Sequence, residues 1–181
     1  PPRRGGVGRA EEFHRAHPDF PIEATFFVNG QSPFKQAELV ETKLNYLIDR
    51  GMDVGNHTVG HENLRLEKYQ SATKIQHLIG AQARFLESKI TAHPNYRVNT
   101  YALCHGARPK NASLHKFLRT GATGGYTYEN IAILNVGSKP ALSPVFRDFN
   151  PMSIPRVRAS GKNGFSSWLK YFDAHPDERY I

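Results

Sequence analysis

The chain of 181 residues contains a single cysteine, Cys104. That excludes an internal disulfide framework and a zinc knuckle built from cysteines. No run of about 18 apolar residues occurs, so no transmembrane helix is expected. Lysine and arginine are never gathered into a block or interleaved with aromatics, so a nucleic-acid partner is not expected either. The net charge is nevertheless +8, which suits an anionic polymer or simple solubility. No two aspartates are adjacent anywhere in the sequence. The opening "PPRRGGVGRAEEF" has no apolar stretch behind its basic residues and no initiator methionine, so it does not read as a secretory signal. The expectation from this end is an excised domain, with residues 1–11 a loose end and localisation left open.

What is present fits one soluble globular domain with a real core, at 39% hydrophobic and 22% charged residues. Strand and helix patterns alternate along the chain. "EEFHRAHPDF" reads as a short helix, and "IEATFFVNG" as a strand closed by Asn29-Gly30. "KQAELVETKLNYLIDRG" places Val40, Leu44, Leu47 and Ile48 on one helical face and stops at Gly51. "MDVGNH" is a short strand. "EKYQSATKIQHLIGAQARFLESKI" is a long helix with Ile75, Leu78, Ile79, Phe85, Leu86 and Ile90 as its buried stripe. "NTYALCHG" is a strand, "NASLHKFLRTG" a helix capped by Asn111 or Ser113, "NIAILNVG" and "MSIPRVRAS" strands, and "FSSWLKYFDAH" a closing helix. Such alternation predicts an α/β domain with a mainly parallel sheet. Sites in these folds assemble in loops at the C-terminal ends of the strands. Three loops fall there: Asn29-Gly30, the "NHTVGH" loop and "CHGARP".

The second of these holds His57 and His61, four residues apart. A helix through "HTVGH" is disfavoured by Val59 and Gly60, and Thr58 stands where a helical zinc protease motif needs glutamate. A loop that turns back on itself can also bring two imidazoles together, and neutral imidazoles suit zinc and similar borderline metals. Two ligands are too few for a catalytic site, which needs a third from elsewhere. Polar loop histidines with no metal are the alternative, and these residues alone leave both open. Cys104 lies in a site loop, but its chain neighbour His105 should point the other way in a strand, so a dyad between them is not expected.

Taken together, "ATFFVNG", "LIDRGMDVGNHTVGHENL" and "YALCHGARPKN" resemble the polysaccharide deacetylases of the NodB-homology type, carbohydrate esterase family four, and a bacterial cell-surface branch of it. The likeness runs from about Glu12 onward. It implies a distorted (β/α) barrel, here incomplete at its N-terminus, and a single polysaccharide-deacetylase-like catalytic domain over residues 1–181. It implies a metal-dependent hydrolase that removes N-acetyl groups from a polysaccharide containing N-acetylglucosamine, peptidoglycan or chitin-like, outside the cell or at its surface. The implied cofactor is a divalent metal, most often zinc, and the implied partner an N-acetylated polysaccharide.

Carried over residue by residue, the resemblance makes His57 and His61 metal ligands. The third ligand and the general base of the family come from a Thr-Phe-Asp-Asp strand that has no counterpart here, so the base is expected upstream of residue 1. The third family motif carries an arginine, prolines and a tyrosine whose backbone N–H holds the acetyl oxyanion. The aligned residues are Ala102, Leu103, Cys104, His105 and Gly106, which makes His105 a backbone oxyanion donor. Arg108 is near the missing arginine but not equivalent to it. The family's last motif supplies a histidine as general acid, and "SIPRVRAS" offers only Arg156 and Arg158. These departures keep a second reading in play: an inactive, carbohydrate-binding or structural wall domain on the same scaffold. Neither reading assigns residues that bind the sugar or an oligomeric state.

Overall fold

The computed structural model describes residues 5–137, 139–158 and 160–178. In chain order the helices are α1 (Gly6–Ala16), α2 (Val40–Asp49), α3 (Ala72–Lys89), α4 (Lys116–Arg119) and α5 (Phe165–Ala174). The strands are β1 (Thr25–Val28), β2 (Asp53–Asn56), β3 (Thr100–Ala102), β4 (Thr120–Thr123), β5 (Tyr126–Glu129) and β6 (Ala132–Leu134). The chain divides into two compact units, one built from Pro1–Glu23, Gly137–Phe149 and Pro155–Ile181, the other from Ala24–Val136 and Asn150–Ile154.

The larger unit carries a four-stranded sheet in the order β1-β2-β3-β6, every pair parallel. Helix α2 connects β1 to β2, and α3 connects β2 to β3. This is the expected α/β architecture with a parallel sheet, the unit from which (β/α) barrels are made. Strand β2 crosses the middle at Gly55, where only glycine fits. A Cβ there would lie 2.3 Å from the Phe27 ring and 2.7 Å from Thr100 Oγ1. The core behind the sheet joins Leu64, Ile75, Ile79, Tyr101, Leu103, Leu118 and Ile133, all essentially without solvent exposure. Burying aliphatic side chains such as Ile75 and Ile79 stabilises by roughly 1.5–3 kcal/mol each. Of the stripe expected on α3, Ile75, Ile79, Leu86 and Ile90 are buried, whereas Leu78 and Phe85 are half-buried. Gln82 is fully buried too; its Nε2 donates to Val28 O and Gly30 O at the end of β1.

Three expectations are corrected. The helix expected over "NASLHKFLRTG" is a 3-10 turn, Ala112–Leu114, followed by the four residues of α4. Asn111 caps the turn, accepting from Ser113 N at 2.9 Å. The chain then turns back as an antiparallel hairpin, β4 with β5, through Gly124-Gly125 at φ 53° and 76°. A Gly-Gly pair serves such a tight turn because both residues need positive φ. The strand expected over "MSIPRVRAS" is reduced to a bridge of Ile154 to Leu134 and one of Arg158 to Gly164. Pro155 has no N–H to continue a ladder; Ala159 lies outside the described residues.

In the smaller unit α1 starts at Gly6, inside the stretch expected to be loose. The glycines argue against a helix by about 1 kcal/mol each, but Gly8 is buried and tertiary packing overrides propensity. Phe13 meets Phe20 edge-on at 5.2 Å, and Phe20 meets Phe172 at 5.8 Å. Trp168, Tyr171 and Phe172 of α5 pack among themselves.

Candidate metal centre

Strand β2 ends in a loop built by its own side chains. Asn56 is fully buried; its Nδ2 donates to Ile79 O on α3 at 2.8 Å and its Oδ1 accepts from Thr58 N at 2.9 Å. That two-residue return mimics a backbone turn. Thr58, also fully buried, adopts a left-handed φ of 56°. Its Oγ1 donates to His57 O at 2.7 Å and accepts from Glu62 N at 3.3 Å. Two backbone bonds tie the loop to the end of β1: His57 N to Val28 O at 3.2 Å and Gly30 N to Thr58 O at 3.3 Å. His61 is left-handed as well, at φ 56°. Strain of this kind clusters at functional sites.

The loop therefore turns back without forming a helix, and the two imidazoles meet edge to face with centroids 4.7 Å apart. His57 Nδ1 lies 2.8 Å from Ala102 O at the end of β3. A carbonyl only accepts, so Nδ1 carries the proton and Nε2 the lone pair, the arrangement that orients metal-binding histidines.

The loop after β3 supplies the other half. Cys104–Gly106 form one 3-10 turn with His105 at φ 55°. His105 is exposed and its ring meets His61 at 4.4 Å. Its backbone N–H has no acceptor among the described residues. Cys104 is fully buried, with Sγ 3.2 Å from His57 O, 3.2 Å from Thr58 Oγ1 and 3.6 Å from His57 Nδ1. Ligand atoms of His57, His61 and Cys104 all lie within 4.8 Å of one another. Two imidazoles and a thiol form a donor set that fits a borderline divalent metal such as zinc. Among the described residues, this group includes no carboxylate.

Sequence reasoning placed the two histidines but set Cys104 only beside His105 in the chain. The partner in space is His57, across the β2–β3 step, and the sequence signal was the shared position of the two loops on one rim. Arg108 does not turn toward the histidines. Its Nη2 donates to Met152 O at 2.7 Å, and half-burial lowers the pKa of its guanidinium. Tyr101, fully buried on β3, has its pKa pushed well up by burial, then by the charges of Cys104 and Glu62. Among the described residues, its hydroxyl and Glu62 Oε2 are both buried without a hydrogen-bond partner.

The model of the polysaccharide deacetylase family matches residues 16–119, more than half of the chain and the whole of both loops. The chain belongs to that family. Among solved structures it is similar to a CE4 family pseudoenzyme from Bacillus anthracis, at 22% identity and a TM-score of 0.45, covering 62% of this chain and 34% of that one. It is also similar to the Streptococcus pyogenes deacetylase PplD in complex with acetate, at 16% identity and a TM-score of 0.44, covering 65% and 43%. A third is a family 4 acetyl xylan esterase from Clostridium thermocellum in complex with a cobalt ion, at 14% identity and a TM-score of 0.44, covering 80% and 57%. The chain thus spans between about a third and three-fifths of these structures. No curated protein matches it. Among the described residues, no helix is long and apolar enough to cross a membrane.

Proposed function

We propose that residues 1–181 act as one metal-dependent deacetylase domain, removing N-acetyl groups from a polysaccharide that contains N-acetylglucosamine, of the peptidoglycan or chitin type, at the cell surface or outside the cell. The observation that carries this reading is the return of the "NHTVGH" loop, which puts the His57 and His61 rings 4.7 Å apart at the C-terminal end of a parallel strand. Membership of the polysaccharide deacetylase family supports a polysaccharide as the substrate.

His57 and His61 would hold the ion. Bound there, a divalent metal of the zinc type would polarise the acetyl carbonyl and make a water nucleophilic at neutral pH. Ala102 O fixes the His57 ring through Nδ1, so the ring does not have to reorient during turnover. The exposed N–H of His105 is suited to donate to the acetyl oxygen as charge develops on it. Positive charge on the surface favours an anionic wall polymer.

A second reading, an inactive carbohydrate-binding domain, is favoured by one observation. Among the described residues, no carboxylate joins the histidines as a metal ligand. Acetate release from N-acetylchitooligosaccharides and from peptidoglycan separates the two. The zinc-loaded protein in its natural length should release acetate, and its His57→Ala variant should not. Glycan binding without acetate release by the zinc-loaded protein in its natural length would sink the hydrolase reading and leave the binding domain.

A further inference from the structure

We propose that the cavity beside the β4–β5 hairpin is a second glycan-binding site, which takes a neutral sugar unit of the polymer away from the metal centre. The inference rests on the proposed reading that the partner is a polysaccharide, and not on the metal.

The cavity has a volume of about 490 Å³ and lies wholly within the larger unit. Pockets of that size hold small ligands. It is lined by Glu87 near the end of α3, by Arg97 and Val98 of the segment before β3, and by Tyr126, Thr127 and Glu129 of β5. Val98 precedes β3, whereas His57, His61 and His105 follow the C-terminal ends of β2 and β3. The two strands are parallel, so the cavity and the metal centre lie at opposite ends of the sheet.

The polar groups of the lining suit a hydroxyl better than an ion. The Glu87 side chain is only 14% exposed. Its Oε1 is satisfied, accepting from Val98 N at 3.0 Å and from the Tyr126 hydroxyl at 2.8 Å. Its Oε2 stands 4.0 Å from Arg97 Nη1, too far for a hydrogen bond. A hydroxyl between them, about 2.8 Å from each, would donate to the carboxylate and accept from the guanidinium. A phosphate or carboxylate there would be repelled by Glu87, and an ammonium by Arg97. Charge is balanced at the next carboxylate too, since Glu129 lies 3.5 Å from Arg119. The exposed Thr127 adds a hydroxyl that both donates and accepts. Apolar surface is scarce, because Val98 and Tyr128 are 2% and 5% exposed. Neutral rings that carry several hydroxyls match this lining, and oily ligands do not.

The test is a titration of the isotope-labelled protein in its natural length with N-acetylchitotriose, with a chelator present to remove metal, read by the shifts of backbone amides. We expect the amides of Val98 and Thr127 to shift as the sugar binds. The shifts are read on the unsubstituted protein, so the outcome does not depend on any variant folding. Arg97→Ala, at a mostly exposed side chain, should weaken the affinity by about 10-fold, the loss expected for a hydrogen bond to a charged group. Thr127→Arg, also at an exposed position, should fill the cavity and abolish the shifts. Shifts confined to the loops of His57 and His105 would overturn the second site and leave the deacetylase reading standing. No shift at any residue, or shifts at Val98 and Thr127 that neither substitution alters, would overturn it as well. Shifts at Val98 and Thr127 in a protein that releases no acetate when loaded with zinc would uphold the second site while the hydrolase reading failed.

Discussion

The loop after β2 and the loop after β3 meet at one rim yet are held in different ways. The first is fixed by side chains. Asn56 and Thr58 are both fully buried and between them bind Ile79, His57 and Glu62. The second is fixed mainly by its backbone, with Gly106 N returning to Leu103 O and Ala107 N to Cys104 O; the buried Cys104 thiol adds contacts to His57 O and Thr58 Oγ1, while His105 projects into solvent. A loop that spends buried polar side chains on its own shape has a sequence that can be recognised, because few residue types satisfy those bonds. A backbone turn tolerates many side chains. The resemblance noted in the sequence rests on Gly55, Asn56, His57, Thr58 and His61 of the first loop, whereas it weakens at Cys104 and His105 of the second.

The sharpest way to break the comparison is to remove a ligand from the first loop. His57→Ala or His61→Ala should lower zinc affinity by at least about 100-fold, beyond the loss typical of supporting residues. Metal analysis after dialysis against a competing chelator measures it. Zinc retained by both variants would mean the rings meet for packing alone.

Next is the scaffold under that ligand. Asn56→Ala leaves the buried Thr58 N–H without an acceptor and removes a bond to α3, a cost of about 2–3 kcal/mol. A urea midpoint shift of that size with unchanged slope is expected. An effect below about 0.5 kcal/mol would show that the loop holds its shape without the Asn56 bridge, and the first loop would then be no more side-chain-built than the second.

That contrast also explains what was legible in the sequence. Periodicity gave α2, α3 and α5 because each has a buried face at helical spacing, and the parallel sheet followed from alternation. The His57 and His61 pairing was legible as a turn because Val59 and Gly60 argue against a helix. The β4–β5 hairpin was missed although Gly124-Gly125 announces it, because Thr120–Thr123 has no apolar alternation to mark a strand. The early start of α1 was missed because Gly6 and Gly8 read as loop until their packing is seen. The contact of Cys104 with His57 was missed for a different reason: the two are 47 residues apart in the chain and adjacent only through β2–β3 pairing, which no local pattern encodes.

The two loops can be compared directly at matched backbone. Thr58 and His105 share the left-handed conformation, φ 56° and 55°, a geometry that costs a residue other than glycine about 1 kcal/mol or more. Glycine relieves that strain at either position. At His105 only an exposed ring against His61 is lost, so His105→Gly should change stability by less than about 1 kcal/mol, in either direction. At Thr58 the hydroxyl contacts to His57 and Glu62 are lost from a buried position, so Thr58→Gly should destabilise by about 1–2 kcal/mol. Thermal unfolding of the two variants side by side tests the point; equal shifts would erase the distinction between a side-chain-built and a backbone-built loop.

The smallest effect lies at Tyr101 of β3, just before the second loop. Its hydroxyl is buried in the core behind the sheet and, among the described residues, has no hydrogen-bond partner; Glu62 Oε2 is likewise buried without one. Replacing a buried hydroxyl that makes no bond removes a desolvation cost rather than an interaction, so Tyr101→Phe should alter stability at pH 7 by no more than about 1 kcal/mol. The substitution shows itself in alkali. Burial first, and the charges of Cys104 and Glu62 after it, hold the Tyr101 pKa well above the ordinary tyrosine range, so the folded chain keeps its proton there while the unfolded chain loses it near pH 10. Above that pH the unfolded state binds fewer protons than the folded state, and stability falls as pH rises. Tyr96, Tyr126 and Tyr128 are raised by burial as well, so Tyr101→Phe should lessen the alkaline loss without abolishing it. Urea midpoints at pH 8 and above pH 10 give the measurement. An unchanged alkaline slope would mean that the Tyr101 proton is released in the folded state too, with solvent reaching the core around it.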